Sequence, residues 1–277
     1  MKMDLSKIRH VALDLDGTIY KGGTLFDFTK PFLALLDELD LGYTFLTNNP
    51  SKSVKDYIAH LKNFGIEADA NQLYTSTLCT MEFLREKYPA AKRIFALGTP
   101  SMCQEFSDAG FILTTESHLD EPDLVIVAFD LTLNYQRLCR AAYWIKKGKP
   151  FIGTNPDRVC PTDQPTVLVD CGSICACIEA ATGIAPAKVL GKPNPQMLRG
   201  ILGRHFLKPH ELAMVGDRIY TDVAMAKQAG AFGVLVLTGE ATAQDAARQS
   251  PAPDLVLPSL KEFGDKLRDA KAQMVAA

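Results

Sequence analysis

The chain has no excess of charge of either sign. Thirty Lys+Arg stand against 32 Asp+Glu over 277 residues, which gives a formal net charge of −2, and no block of like charges occurs. Nucleic-acid-binding proteins normally carry a basic face or stripe, so this balance argues against a nucleic-acid partner. No apolar run approaches the roughly 18 residues of a membrane span, and the first residues lack the apolar segment of a signal peptide. We therefore expect a cytoplasmic protein without a membrane partner.

Linkers, repeats and a dinucleotide fingerprint are also absent. No Gly/Ser-rich or Pro-rich segment marks a domain boundary, and no Gly-x-Gly-x-x-Gly turn follows a predicted strand, which argues against a nucleotide-dependent dehydrogenase. The seven cysteines fit reduced thiols. Cys171, Cys175 and Cys177 lack the spacing of a zinc site. The first two would share a helix face, where we expect them to act as small apolar filling.

Apolar segments rich in Val, Ile and Leu alternate with longer helical patterns. We predict strands at residues 8–15, 43–47, 93–97, 123–129, 150–153, 187–190, 212–216, 232–237 and 254–257. We predict helices at residues 28–41, 53–64, 77–88, 101–109, 135–147, 172–182, 195–204, 220–229 and 260–272, with an Ala-rich tail that frays. Such alternation predicts an α/β fold with parallel strands covered on both faces.

Several of these strands end in polar side chains. Asp14 and Asp16 close the first strand, and residues two apart in an extended chain face the same side. Thr47 closes the second strand, and Asp217 closes a later one, with Asp222 five residues on. Ligands of open α/β sheets collect beyond the carboxyl ends of the strands, so we expect these five side chains to gather at one edge.

Four carboxylates at one edge need a cation, the more so if a phosphorylated substrate adds about two negative charges. Like charges about 4 Å apart cost on the order of 4 kcal/mol near a protein surface, more than a single lysine offsets. Mg²⁺ suits carboxylate and phosphate oxygens. We expect Asp14 and Asp217 as direct ligands, with Asp222 holding a metal-bound water or ligand.

The same residues permit phosphoryl transfer. Asp14 is placed to attack phosphorus and form an aspartyl-phosphate. Asp16 would protonate the leaving oxygen and then deprotonate the attacking water. Thr47 and the amide of Asn48 would hold the phosphoryl oxygens, and Lys192 would supply a fixed positive charge. Each of these short motifs alone is typical of a turn or a surface residue; their shared position at strand ends favours the functional interpretation.

These motifs resemble those of the haloacid dehalogenase superfamily of aspartate-nucleophile phosphatases. The first motif is Asp14-Leu15-Asp16-Gly17-Thr18, the second Leu46-Thr47-Asn48, the third Lys192, and the fourth runs from Gly216 to Asp222. The resemblance implies a Rossmann-like core. It also implies that the backbone carbonyl of Asp16 joins Asp14 and Asp217 on Mg²⁺.

The long interval between the second and third motifs resembles class IIA, which carries an inserted α/β cap. This implies a core at residues 1–78 and 187–277 and a cap for substrate specificity at 79–186. By the same resemblance, the residues expected to bind substrate are Asn48, Asn49, Asn155, Asp157, Gly172 and Ser173. Here Asp170 replaces the first glycine of the usual Gly-x-Gly-Ser turn, so the turn would be reshaped.

The resemblance implies a phosphatase of small phosphorylated metabolites and offers the cap as a surface for a homodimer. A phosphomutase or phosphotransferase on the same scaffold remains an alternative, as does a non-enzymatic protein that accepts phosphate on Asp14. The five histidines match none of the motifs: we interpret His10 as a strand-entry residue and the others, His60, His118, His205 and His210, as surface residues. We expect Trp144 in the cap core.

Overall fold

The computed structural model describes residues 4–162, 164–248 and 250–275. The strands are β1 (His10–Asp14), β2 (Tyr20–Lys21), β3 (Thr24–Leu25), β4 (Gly42–Thr47), β5 (Leu73–Thr75), β6 (Arg93–Leu97), β7 (Ile112–Leu113), β8 (Leu124–Val127), β9 (Phe151–Gly153), β10 (Val159–Cys160), β11 (Leu168–Val169), β12 (Lys188–Val189), β13 (Leu212–Gly216), β14 (Phe232–Val236) and β15 (Leu255–Leu257). The α-helices are α1 (Thr29–Glu38), α2 (Val54–Asn63), α3 (Ser76–Lys87), α4 (Pro100–Asp108), α5 (Tyr135–Lys146), α6 (Cys171–Thr182), α7 (Gln196–Arg204), α8 (Ala224–Ala229), α9 (Ala243–Arg248) and α10 (Leu260–Val275).

The chain forms two compact units. The first comprises the described residues of Met1–Leu46, His60–Tyr74 and Lys192–Ala277, and the second comprises those of Thr47–Ala59 and Thr75–Gly191. The division therefore assigns to the second unit a short segment, residues 47–59, that the sequence placed with the core.

The sheet of the first unit has the strand order β15-β14-β13-β1-β4-β5. The β1–β4, β1–β13, β13–β14 and β14–β15 pairs are all parallel. From β1 the chain extends the sheet first through β4 and later, on the other side, through β13. The strand order therefore reverses beside β1, and ligands of open α/β sheets bind outside the carboxyl ends at such a point. Asp14 ends β1 there, and Gly216 of β13 directly precedes Asp217.

The main sheet of the second unit has the order β12-β9-β8-β6-β7, with parallel pairs throughout. Trp144 is buried in its core, together with Cys171 and Cys175 on one face of α6, whereas Cys177 is exposed. Lys188–Val189 pairs with β9 in this sheet. The predicted boundary at 186/187 put that strand with the core; the backbone hydrogen bonds to β9 hold it in the second unit.

All nine predicted strands and all nine predicted helices occur, with ends shifted by a few residues. The predictions missed β5, the α9 helix and the two-stranded ribbons β2–β3 and β10–β11, together with the edge strand β7. Most of these strands are two residues long, which is too short for a detectable alternation. In the tail that was expected to fray, α10 continues to Val275, and residues 276 and 277 lie outside the described residues.

The predicted helix at 220–229 is divided. Ile219–Val223 forms a π-helical turn, and a regular α-helix follows. Single π turns inside helices are frequent at functional sites, and this one carries Asp222. Two of the histidines expected at the surface are partly buried: His205 packs against His10, and His60 packs against Tyr20. No helix within the described ranges is long and apolar enough to cross a membrane.

Candidate active site

Three carboxylates meet in the first unit. Asp14, Asp217 and Asp222 are all buried, and each offers an oxygen atom within 4.8 Å of the others. Asp14 is held at the end of β1, where the hydroxyl of Thr18 donates to its Oδ2 at 3.3 Å. Asp222 lies in the π-helical turn, where its Oδ2 accepts from the backbone N–H of Arg218 at 3.1 Å. The strand ends thus bring together three of the side chains predicted to meet.

Lys192 lies among these carboxylates. Its ammonium group forms ion pairs with Oδ1 of Asp14 and, at 2.7 Å, with Oδ1 of Asp222. Its side chain is only 6% exposed. One ammonium group therefore pairs with two of the three carboxylates, and the cluster has a deficit of positive charge.

This deficit alters the proton affinities of the cluster. Burial, followed by the negative charges of Asp14 and Asp222, raises the pKa of Asp217 to about 7. Burial also raises the pKa of Asp222 to about 6, although Lys192 opposes the shift. Burial by itself lowers the pKa of Lys192. The combined effect of the Asp14 and Asp222 carboxylates is larger and raises that pKa, so the lysine stays charged. A further cation would stabilise the ionised carboxylates.

Asp217 is confined by backbone on two sides. The backbone N–H of Glu240 donates to its Oδ2 at 2.7 Å. A Cβ at Gly17 would lie 2.5 Å from that oxygen, and a Cβ at Gly239 would overlap it as well. Among the residues that the structure describes, Oδ1 of Asp217 is buried without a hydrogen-bond partner. An unpaired buried carboxylate oxygen beside two other carboxylates fits the donor set of a hard divalent cation.

Sequence reasoning missed the Gly239-Glu240 pair. The signal was weak, because two residues separate Gly239 from the end of β14, whereas Asp217 directly follows β13. Asp16 is exposed and its side chain lies outside the cluster of three. Thr47 directly follows Leu46, which is the register partner of Asp14 in the β1–β4 pair.

The six residues predicted to bind substrate gather in the second unit. Asn48 Nδ2 donates to Oδ2 of Asp157 at 2.9 Å, and Asn155 Nδ2 donates to the same oxygen at 3.2 Å. Asn49 Nδ2 lies 3.7 Å from the Cys160 sulfur. The backbone N–H of Gly172 donates to the carbonyl of Asp157 at 2.7 Å, and the Ser173 hydroxyl donates to the carbonyl of Arg158 at 2.8 Å. The fold thus joins the segment after β4 to the N-terminus of α6.

The turn at Asp170 needs no glycine. Asp170 has an extended backbone, and its side chain accepts from the backbone N–H of Cys171 at the start of α6. Asn155 Nδ2 also donates to Asp170, at 3.1 Å. Gly172 is the position that requires glycine, because a Cβ there would overlap the carbonyl oxygen of Pro156. Asp170 therefore replaces the missing glycine with a helix cap.

Comparisons with known proteins agree with this geometry. A family model described as haloacid dehalogenase-like hydrolase matches residues 11–112, and an HAD-hydrolase-like model matches residues 189–263. Ribonucleotide monophosphatase NagD of Escherichia coli (strain K12) is 31% identical over 256 residues, which cover 92% of this chain and 98% of that protein.

Two solved structures extend the comparison. A 4-nitrophenylphosphatase from Thermotoga maritima superposes with a TM-score of 0.89 at 39% identity, covering 94% of this chain and 98% of that one. A glycerol phosphate phosphatase from Mycobacterium tuberculosis in complex with magnesium gives 0.86 at 28% identity, covering 95% and 79%. The chain belongs to the haloacid dehalogenase-like hydrolases, in their class IIA phosphatase branch, and is a hydrolase of phosphoric monoesters.

Proposed function

We propose that the protein is a Mg²⁺-dependent phosphatase of small phosphomonoesters that works through an aspartyl-phosphate on Asp14. The observation that carries this proposal is the buried cluster of Asp14, Asp217 and Asp222 around Lys192, with one Asp217 oxygen unpaired. Lys192 pairs with only two of the three buried carboxylates, and a buried carboxylate is costly unless it is paired, so the cluster calls for a further cation.

The cluster supplies three carboxylates for the ion: Asp14 and Asp217 would bind Mg²⁺ directly, and Asp222 would hold a metal-bound ligand. The backbone carbonyl of Asp16 would join them, as the family resemblance implies. When bound, the ion would offset the negative charge of the carboxylates and of the phosphoryl oxygens. The M. tuberculosis relative in complex with magnesium supports this choice of metal.

The first chemical step forms a bond between a carboxylate oxygen of Asp14 and phosphorus, while the bond from phosphorus to the ester oxygen breaks. Asp16 gives its proton to the departing alcohol oxygen. The exposure of Asp16 suits this role, because an exposed acid can exchange protons with water. Lys192 holds Asp14 in place through their ion pair and keeps a fixed positive charge beside the transferring group.

The second step hydrolyses the aspartyl-phosphate. Asp16, now ionised, takes a proton from a water molecule that attacks phosphorus, and Asp14 leaves as the free carboxylate. Phosphate is released and both residues return to their starting protonation states. Thr47 and the backbone amide of Asn48 would hold the phosphoryl oxygens in both steps.

The second unit would act as the cap that selects the substrate. The named activities of the relatives span ribonucleotide, 4-nitrophenyl and glycerol phosphates, so we propose a small phosphorylated metabolite without choosing among them. The cytoplasmic location, the homodimer through the cap and the absence of nucleic-acid and membrane partners stay predictions.

An ester panel tests this proposal. Purified protein would be incubated with 4-nitrophenyl phosphate, ribonucleoside monophosphates, sugar phosphates and glycerol phosphate, with Mg²⁺ or with a chelator, and released phosphate measured. We expect turnover with Mg²⁺, its loss with chelator and its recovery when Mg²⁺ is restored. Borohydride should reduce the aspartyl-phosphate, leaving homoserine at position 14, detectable by mass spectrometry.

Two results would contradict the proposal. If no ester releases phosphate in the presence of Mg²⁺, the proposed phosphatase activity is refuted. Conversion of one sugar phosphate into an isomer, without release of phosphate, would identify the phosphomutase alternative instead.

A further inference from the structure

The segment that bears Thr47 and Asn48 is bonded into the second unit at several points. The Ser76 hydroxyl of α3 donates to the backbone carbonyl of Asn48 at 2.7 Å. The Thr99 hydroxyl, which caps α4, donates to the carbonyl of Ser51 at 2.8 Å. These contacts fix the backbone that follows β4 to helices of the second unit.

The N-terminus of α2 is held in the same way. The backbone N–H of Val54 donates to Oε1 of Glu105 on α4 at 2.9 Å, and the Ser101 hydroxyl donates to Asp56. Ser53 caps α2, where its hydroxyl accepts from the backbone N–H of Asp56 and donates to the Asp56 side chain. The first amide of this helix is satisfied by the carboxylate of Glu105.

Asp157 contacts the side chain of Asn48, the residue whose backbone amide is predicted to bind phosphate. Its Oδ2 accepts from Asn48 Nδ2, and the 8% exposed Asn48 side chain is closed in on another side, where a Cβ at Gly191 would lie 2.9 Å from its Oδ1. Asp157 is itself fixed by Asn155, which is fully buried and also bonded to Asp170. A chain of hydrogen bonds therefore runs from the start of α6 to Asn48.

We propose that Asp157 is a positioning residue that orients Asn48, and through it the phosphate-binding backbone, rather than a residue that contacts the departing alcohol of the substrate. This inference rests on the proposed function. The reason is that Oδ2 of Asp157 accepts from two side-chain amides of the protein, and a carboxylate so engaged is poorly placed to read a substrate as well. Substrate choice would then lie with other residues of the second unit.

The two roles differ in their dependence on the leaving group. Replacing a residue that touches the departing alcohol should change kcat/KM by different factors for different esters. It should leave Ki for inorganic phosphate unchanged, because phosphate has no alcohol part. Replacing a residue that positions Asn48 should change kcat/KM for every ester, and Ki for inorganic phosphate, by the same factor. The experiment measures kcat and KM for 4-nitrophenyl phosphate, glycerol phosphate and a ribonucleoside monophosphate, and Ki for inorganic phosphate, in the presence of Mg²⁺.

For Asp157→Ala we expect Ki to rise, and kcat/KM to fall, by about 10-fold to 100-fold on every ester, as for loss of a hydrogen bond to a charged group. Asp157→Asn keeps an accepting oxygen and should restore most of this loss. The matched control is Asp108→Ala, which removes an exposed acid from α4 of the same unit. Its kcat/KM values and its Ki should equal those of the wild type. Thermal unfolding of each variant identifies any loss of fold.

A double-mutant cycle tests the route through Asn48. If Asp157 acts through Asn48, then Asn48→Ala alone should lower kcat/KM about as much as Asp157→Ala does. The double variant should lower kcat/KM no further than either single variant. Should Asp157→Ala fail to fold, Asn48→Asp sets two carboxylates against each other at the same contact. We then expect the same rise in Ki, reversed when Asp157→Asn is added.

Three results would overturn the inference. They are an unchanged Ki for inorganic phosphate in Asp157→Ala, effects that differ among the esters, and additive losses in the double variant. A wild-type protein that hydrolyses none of the esters would instead overturn the proposed function, so the two failures are distinguishable.

Discussion

The ammonium group of Lys192 is ion-paired with Oδ1 of Asp14, although 178 residues of sequence separate them. Both side chains are almost fully buried, and the lysine also reaches Asp222. This pairing leaves one carboxylate of the cluster, Asp217, without a cationic partner inside the cluster, although its Oδ2 receives an N–H from Glu240. The arrangement leaves the cluster short of positive charge, and the ion pair restrains the orientation of the Asp14 carboxylate.

The first prediction concerns the nucleophile. Asp14→Asn should lower kcat on 4-nitrophenyl phosphate by roughly 10⁴-fold or more, because the amide cannot form the covalent intermediate. The fold should persist, since asparagine keeps an oxygen for the Lys192 ammonium and removes one of three crowded negative charges. The measurement is phosphate release together with thermal unfolding. Asp37→Asn, an exposed acid on α1, is the control, and near-wild-type turnover by Asp14→Asn would refute the assignment.

The second prediction concerns the metal. Asp217→Asn should raise the Mg²⁺ concentration for half-maximal activity by at least about 100-fold, because the proposed site uses Asp217 as a direct ligand. In chelator the same variant should be more stable than the wild type above pH 7. The raised pKa of Asp217 means that its stabilising protonated form is lost as the pH rises through about 7. Metal titrations and urea unfolding at pH 6 and pH 8 measure the two effects; an unchanged titration would remove Asp217 from the ligand set.

The sequence was sufficient to predict the side chains at strand ends. Asp14 and Asp217 follow buried apolar runs, and the carboxyl ends of parallel strands must lie at one edge, so their meeting followed from topology. The partners of Lys192 were harder to predict from the sequence. A lysine before a proline is typical of a surface, and only the fold brings it to Asp14 at the end of β1 and to Asp222 in the π-helical turn.

The assignment of residues 47–59 to the second unit was also beyond the sequence. This grouping depends on hydrogen bonds such as Val54 to Glu105 and Asn48 to Asp157, which join segments 51 and 109 residues apart. No local pattern encodes such pairs. The resemblance gave the residues expected to bind substrate as separate positions, and only the fold shows that several of their side chains bond to one another.

The third prediction uses the backbone that confines Asp217. A Cβ at Gly239 would overlap Oδ2 of that residue, so Gly239→Ala should displace the carboxylate and raise the Mg²⁺ requirement about 10-fold or more. The matched control is Gly203→Ala in α7, where a Cβ would meet nothing within 4 Å. That variant should keep the wild-type Mg²⁺ titration and gain about 0.5–1 kcal/mol of stability from higher helix propensity. Equal titrations for both variants would contradict the steric account.

The fourth prediction concerns acid stability and the buried histidine that begins β1. His10 is 4% exposed, lies 2.8 Å from the Thr44 hydroxyl through Nε2, and packs against His205 with ring centroids 4.2 Å apart. Burial, followed by the charge of His205, lowers the pKa of His10 to about 3. Below its ordinary value of 6.5 the unfolded chain therefore binds a proton at this residue that the folded chain does not.

The free energy of unfolding should consequently fall by about 2 kcal/mol between pH 7 and pH 5 on account of His10 alone. Carboxylates with raised pKa values act in the opposite direction, so the quantity to measure is the difference between wild type and His10→Gln in urea unfolding at each pH. Glutamine keeps a group for Thr44 but does not titrate, and the difference should change by about 2 kcal/mol over this range. His118→Gln, at an exposed position, should follow the wild type at every pH. Parallel curves for wild type and His10→Gln would mean that the buried imidazole is protonated in the folded protein, contrary to its surroundings.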